Sequence, residues 1–123
     1  MGATLLVCIT CRAGEPLRED APCAGARMFA ALTAQPAPEG VSIRPVECLS
    51  ACKNGASIAL SGPGRWSYIY GPVVEENVAD ILNGAAAYAQ TPDGIVPWRE
   101  RPVLFRKNVI ARLPALPLEK PQP

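Results

Sequence analysis

The chain has 123 residues, which is enough for one domain with a single hydrophobic core. Its 12 lysine and arginine residues nearly balance its 11 aspartate and glutamate residues, so it lacks the overall basic charge that attracts a nucleic-acid backbone. It contains five cysteines and no histidine, which excludes histidine catalysis and zinc sites with histidine ligands. Chemistry in this chain must therefore use thiolates and carboxylates.

The apolar run near the N-terminus, residues 4–9, has no basic residue before it and no small-residue cleavage site after it. It is too short for the core of a signal peptide and far too short to span a bilayer. We therefore predict a cytoplasmic protein that has no membrane contact. In a reducing compartment, five cysteines are better explained by metal binding or redox chemistry than by structural disulfides.

Apolar and β-branched runs predict strands at residues 3–9, 41–45, 56–60 and 65–70. Helix-forming residues with helical apolar spacing predict helices at residues 24–33 and about 72–88. The order is strand, helix, strand, hairpin and helix, which predicts a mixed four-stranded α/β sheet with both helices on its faces (β-α-β-β-β-α). This arrangement resembles the thioredoxin-like fold, here predicted over residues 1–90.

Residues 91–123, the C-terminal arm, hold 7 of the 14 prolines, which prevents a long helix. The arm is nevertheless too apolar for a disordered tail, so we expect it to pack on its own domain or on a partner subunit. It is also the only locally basic region, a feature that would suit either an acidic protein partner or a solvated face. Its basic residues include Arg99, Arg101, Arg106, Lys107 and Arg112.

The cysteines form two groups along the chain: Cys8, Cys11 and Cys23, then Cys48 and Cys52. The first loop leaves the first predicted strand and the second leaves the next parallel strand, so both lie at one end of the sheet. Such convergence is what a metal site needs. The pair at 48 and 52 is close enough to bind one iron or neighbouring atoms of a cluster. Cys23 begins the first helix, where the helix dipole stabilises a thiolate.

Three features together resemble the thioredoxin-like [2Fe-2S] ferredoxins across residues 3–88. They are the Leu-Val-Cys-Ile segment at 6–9, the long Gly/Pro loop to Cys23, and the Glu-Cys-Leu-Ser-Ala-Cys-Lys-Asn-Gly segment at 47–55 before an apolar strand. The resemblance implies that the protein is a one-electron carrier and not an enzyme. It also implies that this carrier forms a homodimer and docks a redox partner protein. It also implies the ligand set Cys8, Cys23, Cys48 and Cys52 for one [2Fe-2S] cluster.

The sequence departs from that family at two positions. Cys11 is additional, and is either an alternate ligand in place of Cys8 or a partly exposed bystander. Ala56 stands where the family more often has proline. Residues 97–102 and 109–112 are more similar to a bacterial family of predicted metal-binding proteins, often encoded beside cobalamin-biosynthesis genes, which implies electron delivery in that pathway.

Other uses of the same thiols stay open. A four-cysteine zinc site could draw on the pairs Cys8/Cys11 and Cys48/Cys52, leaving Cys23 free. A redox or metal sensor could use the same cysteines, with Cys11 as a resolving thiol. A thiol-disulfide oxidoreductase needs its first cysteine at a helix N-terminus, whereas residues 12–16 contain Gly and Pro and start no helix.

Overall fold

The chain folds around one mixed β-sheet. The computed structural model of the protein describes residues 2–13, 15–16, 20–51 and 55–116. Within these ranges the strands are β1 (Ala3–Cys8), β2 (Val41–Val46), β3 (Ile58–Ser61), β4 (Ser67–Tyr70) and β5 (Val109–Leu113). Their order in the sheet is β2-β1-β3-β4-β5. β1 and β2 are parallel, and the other neighbouring pairs are antiparallel.

The helices of the described ranges are α1 (Ala24–Thr33), α2 (Val78–Ala89) and α3 (Val103–Lys107), with short 3-10 helices at Glu75–Asn77 and Trp98–Glu100. The two long predicted helices are thus confirmed. The second begins later than predicted, because the first turn adopts the tighter 3-10 form, in which the Asn77 side chain accepts a hydrogen bond from the N–H of Val74 at 2.8 Å. No helix of the described residues has the length and apolarity needed to cross a membrane.

Both long helices cover the same face of the sheet. Leu5 and Val7 of β1 are fully buried and belong to the core cluster, whereas Leu6, which points to the other face, does not. The same cluster takes its helical members from α1 and α2 together: Met28, Leu32, Ile81, Ala85 and Tyr88. The sheet is therefore packed on one side by the helices, and its other face is only partly covered.

The predicted count of four strands is wrong by one, because the C-terminal arm supplies β5. This strand pairs antiparallel with β4. Its five residues contain no proline and are followed by Pro114. The arm also forms α3, which begins directly after Pro102, where the missing N–H costs nothing. The prolines therefore mark the boundaries of short elements instead of preventing them.

The described part of the arm packs on its own domain. Val96, Leu104 and Phe105 are buried members of the same core cluster as β1. The ring of Phe105 stacks on Tyr70 of β4 with 4.1 Å between ring centroids. A contact of the arm with a partner subunit stays a prediction.

The parallel pairing of β1 and β2 determines where the cysteines emerge. Cys8, the last residue of β1, lies opposite Val46, the last residue of β2. The chain segments that follow the two strands therefore leave the sheet side by side at one end. This end also contains the N-terminus of α1, because the N–H of Gly25 in its first turn donates to the carbonyl of Cys11 at 2.8 Å.

Candidate metal centre

The loops after β1 and β2 are hydrogen-bonded to each other immediately beyond the sheet. The N–H of Ile9 donates to the carbonyl of Val46 at 2.9 Å. The hydroxyl of Thr10 donates to the carbonyl of Glu47, the residue before Cys48. The two cysteine-bearing segments are therefore held next to each other, as the sequence predicted.

Cys8 lies at the inner side of this end of the sheet and is only 1% exposed. Its Sγ lies 3.7 Å from the carbonyl oxygen of Glu47. Burial raises the pKa of the Cys8 thiol, but hydrogen bonds from the backbone N–H groups of Leu49 and Thr10 outweigh it and lower the pKa below its ordinary value. The Thr10 hydroxyl and the N–H of Cys11 add to this lowering. The site therefore stabilises a thiolate in a buried position.

Cys23 is the N-cap residue of α1 and is half-buried. Its thiol donates to the carbonyl of Ile9 at 2.9 Å and makes no capping bond to the helix. Binding a metal requires loss of the thiol proton, and the side chain must then turn away from the Ile9 oxygen. The partial exposure of Cys23 leaves room for that rotation.

Cys48 is exposed, and its Sγ accepts a hydrogen bond from the N–H of Ser50 at 3.2 Å. Ser50 has a φ of 57°, a left-handed conformation that turns the chain back over the Cys48 sulfur. Cys52, the fourth predicted ligand, lies outside the described residues. The three predicted ligands that the structure describes thus range from buried Cys8 through half-buried Cys23 to exposed Cys48.

Cys11 is not the partly exposed bystander that the sequence allowed. It is only 1% exposed. Its thiol donates to the carbonyl of Gly55 at 3.0 Å, and its Sγ accepts the N–H of Ala13 at 3.4 Å. Cys8 and Cys11, three residues apart, therefore have different partners at this end of the sheet.

A cleft of about 400 Å³ opens beside Cys23, with Arg12 and Glu15 among its lining residues. Arg27 also lines the cleft, and its Nη2 donates to both carboxylate oxygens of Glu15, at 2.9 and 2.7 Å. The same guanidinium reaches Glu75 at 3.2 Å. The charge of Arg27 is thereby offset by two carboxylates, and the cleft leaves the Cys23 side of the site open to solvent.

The described donors at this end of the sheet are thiols, the ligand type that both a [2Fe-2S] cluster and a four-cysteine zinc site use. Across the part of the chain that the structure describes, no group of three or more thiols and carboxylates is close enough to hold one metal ion. A tetrahedral zinc site, with Zn–S bonds of about 2.3 Å, would need its sulfurs about 3.8 Å apart. A [2Fe-2S] cluster spreads its thiolates over two irons, and N–H donors to sulfur, as at Cys8 and Cys48, are typical of such sites.

The geometry does not favour thiol-disulfide exchange at Cys8 and Cys11. The residues described between Cys11 and Asp20, namely 12, 13, 15 and 16, form no helix. Neither thiol therefore gains the helix N-terminus that lowers the pKa of the attacking cysteine in such enzymes.

A family model described as "Protein of unknown function (DUF1636)" matches residues 5–115. The chain belongs to the DUF1636 family. The match extends past residue 90 and so includes α3 and β5 of the arm. No curated protein matches the DUF1636 chain.

Solved structures similar to this DUF1636 chain are thioredoxin-like [2Fe-2S] ferredoxins from Aquifex aeolicus. The wild-type protein at 1.5 Å resolution is 21% identical with a TM-score of 0.58, over 89% of this chain and 97% of that one. A second structure is 21% identical with a TM-score of 0.55, over 98% and 94% of the two chains. A cysteine-to-serine variant gives 20% identity and a TM-score of 0.55. These likenesses confirm the predicted thioredoxin-like fold.

Proposed function

We propose that this DUF1636 chain binds one [2Fe-2S] cluster and acts as a one-electron carrier. The observation that carries the proposal is the convergence of the segments of Cys23 and Cys48 on the turn that contains the buried Cys8 thiol. The fold shared with [2Fe-2S] ferredoxins supports it. The proposed ligands are Cys8, Cys23, Cys48 and Cys52.

A bound [2Fe-2S] cluster supplies reversible one-electron chemistry at a potential set by charge, hydrogen bonds to sulfur and exposure. In this chain the N–H groups of Leu49 and Ser50 donate toward the sulfurs of Cys8 and Cys48. Such donors stabilise added negative charge, so they favour the reduced state. Because Cys48 is exposed while Cys8 is buried, we infer that electrons enter and leave on the Cys48 side.

The proposed partner is an acidic redox protein. Tyr70, the last residue of β4, pairs with Val109 at the start of β5, so the basic end of α3 lies at the same end of the sheet as the cysteines. Exposed Lys107 lies just before β5, and β5 is three inter-strand spacings, or about 14 Å, from β1. This distance is short enough for its charge to help orient a docking protein at low ionic strength.

The finer parts of the proposal rest on the sequence resemblance. They are the assembly into a homodimer, the cytoplasmic location and the delivery of electrons in cobalamin biosynthesis. The near-neutral net charge of +1 supports the absence of a nucleic-acid partner.

Metal and sulfide analysis of the anaerobically purified chain tests the proposal. We expect about two irons and about two acid-labile sulfides per chain, together with visible charge-transfer bands. The Cys48→Ser variant should lose the cluster and keep its fold, because Cys48 is exposed and outside the core. A colourless protein with one zinc per chain would contradict the proposal and support the four-cysteine zinc site.

A further inference from the structure

Cys11 is a buried thiol to which the proposed cluster assigns no role. It is 1% exposed, as is Cys8. Three chain segments present the proposed ligands: the turn after β1 with Cys8, the start of α1 with Cys23, and the segment after β2 with Cys48. Cys11 belongs to the first segment and is hydrogen-bonded to the other two.

The main chain of Cys11 fixes the start of α1. Its carbonyl accepts the N–H of Gly25 at 2.8 Å, two residues beyond Cys23. The two segments are too close for a side chain at position 25. A Cβ placed on Gly25 would lie 2.1 Å from the carbonyl oxygen of Cys8 and 3.2 Å from the nitrogen of Cys11. The helix that presents Cys23 is therefore held against the turn that presents Cys8.

The side chain of Cys11 fixes the third segment. Its thiol donates to the carbonyl of Gly55 at 3.0 Å, where the loop carrying Cys48 returns to the sheet. Gly55 has a φ of 75°, and a Cβ placed on it would lie 2.9 Å from the Cβ of Pro72. The carbonyl that receives the Cys11 thiol thus belongs to a glycine in a left-handed conformation, packed closely against Pro72.

The hydrogen bond from Cys11 to Gly55 also distinguishes Cys11 from the proposed ligands. A metal-bound thiolate has no proton, so its sulfur and the Gly55 oxygen would face each other at 3.0 Å as two acceptors. The thiol of half-buried Cys23 makes a similar hydrogen bond to the carbonyl of Ile9, but this side chain has room to turn away. The buried Cys11 lacks that freedom.

We propose that Cys11 is a positioning residue: it ties together the three segments that present the cluster ligands, and so sets the reduction potential and the lifetime of the cluster. The proposal rests on the cluster-binding function proposed above. It assigns the fifth thiol to the geometry of the site, not to ligation or to exchange with Cys8.

Two substitutions at this position separate the hydrogen bond from the size of the side chain. Cys11→Ala removes the donor and the sulfur acceptor, whereas Cys11→Ser keeps a hydroxyl that can donate to Gly55. We expect both variants to retain the iron and sulfide content of the parent. In Cys11→Ala the cluster should be lost to a chelator about fivefold faster, the effect of one hydrogen bond, and its reduction potential should shift. Cys11→Ser should stay closer to the parent in both measurements.

A second measurement uses the cluster-free chain. The N–H of Ala13 donates to the Cys11 sulfur, so its hydrogen exchange should be about fivefold faster in Cys11→Ala and partly restored in Cys11→Ser. Unchanged exchange, chelation rate and potential in Cys11→Ala would overturn the positioning role. Loss of iron in Cys11→Ser with retention in Cys8→Ser would overturn it by making Cys11 a ligand. A parent that binds no cluster would instead refute the proposed function, while the exchange of Ala13 still decides the role of Cys11.

Discussion

Replacement of Phe105 by alanine is expected to lower the free energy of unfolding by about 3–5 kcal/mol, the cost of deleting a buried aromatic ring. Phe105 belongs to the short helix α3 of the arm and is 4% exposed. Its ring stacks on Tyr70 and presses against α2, where a Cβ on Gly84 would lie 2.3 Å from the ring. Chemical denaturation of the cluster-free chain measures the loss. Val103→Ala on the same helix, at a residue 53% exposed, serves as the control and should have a small effect.

The contact between Phe105 and Gly84 provides an internal check on this expectation. In the parent, Gly84→Ala should destabilise the protein, because the new methyl group collides with the ring. In the Phe105→Ala background the collision is gone, so the same change should stabilise α2 by about 0.8–1 kcal/mol through helix propensity. A Gly84→Ala effect of the same sign and size in both backgrounds would show that the arm does not pack on α2 as described.

Gly25→Ala is expected to destabilise the chain by at least about 2–3 kcal/mol and to abolish retention of the cluster. The obstacle is backbone, since the added Cβ would lie 2.1 Å from the carbonyl oxygen of Cys8. Relief of this contact moves α1 away from the turn after β1 and so separates Cys23 from Cys8. Thermal unfolding and the iron content of the purified variant report the two effects.

The sign of the stability change in Gly25→Ala tests whether α1 packs closely on the Cys8 turn. Helix propensity alone would make the alanine variant about 0.8–1 kcal/mol more stable, since Gly25 lies within α1. The exposed position Ala30 of the same helix gives the matched control: Ala30→Gly should lose about that amount and leave the iron content unchanged. A stabilised Gly25→Ala variant with full iron content would contradict the close packing of α1 on the Cys8 turn.

The elements of the sheet and the two long helices follow from local sequence signals. Residues 3–9 are apolar and β-branched, and residues 41–45 alternate apolar with polar side chains. These segments contain the parallel pair β1 and β2 that brings the cysteine loops together. The apolar spacing along α1 and α2 selects the faces that enter the core. These signals are local in the chain, so the order of the elements could be predicted from the sequence alone.

The arm could not be predicted in the same way. Its short elements, α3 and β5, have five residues each and stand between prolines, so neither shows a periodic pattern long enough to identify it. Their conformations depend on tertiary contacts, the burial of Phe105 beside Tyr70 and the pairing of β5 with β4. The sequence predicted only that the arm packs on something.

The convergence of the cysteine loops could be inferred from spacing, but the role of Cys11 could not. A C-x-x-C spacing assigns no partner to either thiol, and the hydrogen bond from Cys11 to Gly55 joins residues 44 positions apart. The glycines at 25 and 55 were the available signals, because each marks a close backbone approach or a left-handed turn. Recognising those contacts required the three-dimensional structure.

The most direct test of the central claim is a reductive titration of the anaerobically purified chain, followed by electron paramagnetic resonance. A [2Fe-2S] carrier takes up one electron, so we predict about one unpaired spin for every two irons after full reduction, and no signal before it. Reoxidation should return the visible spectrum of the starting protein. A chain that contains metal but takes up no electron, or that gives no spin signal on reduction, would contradict the account.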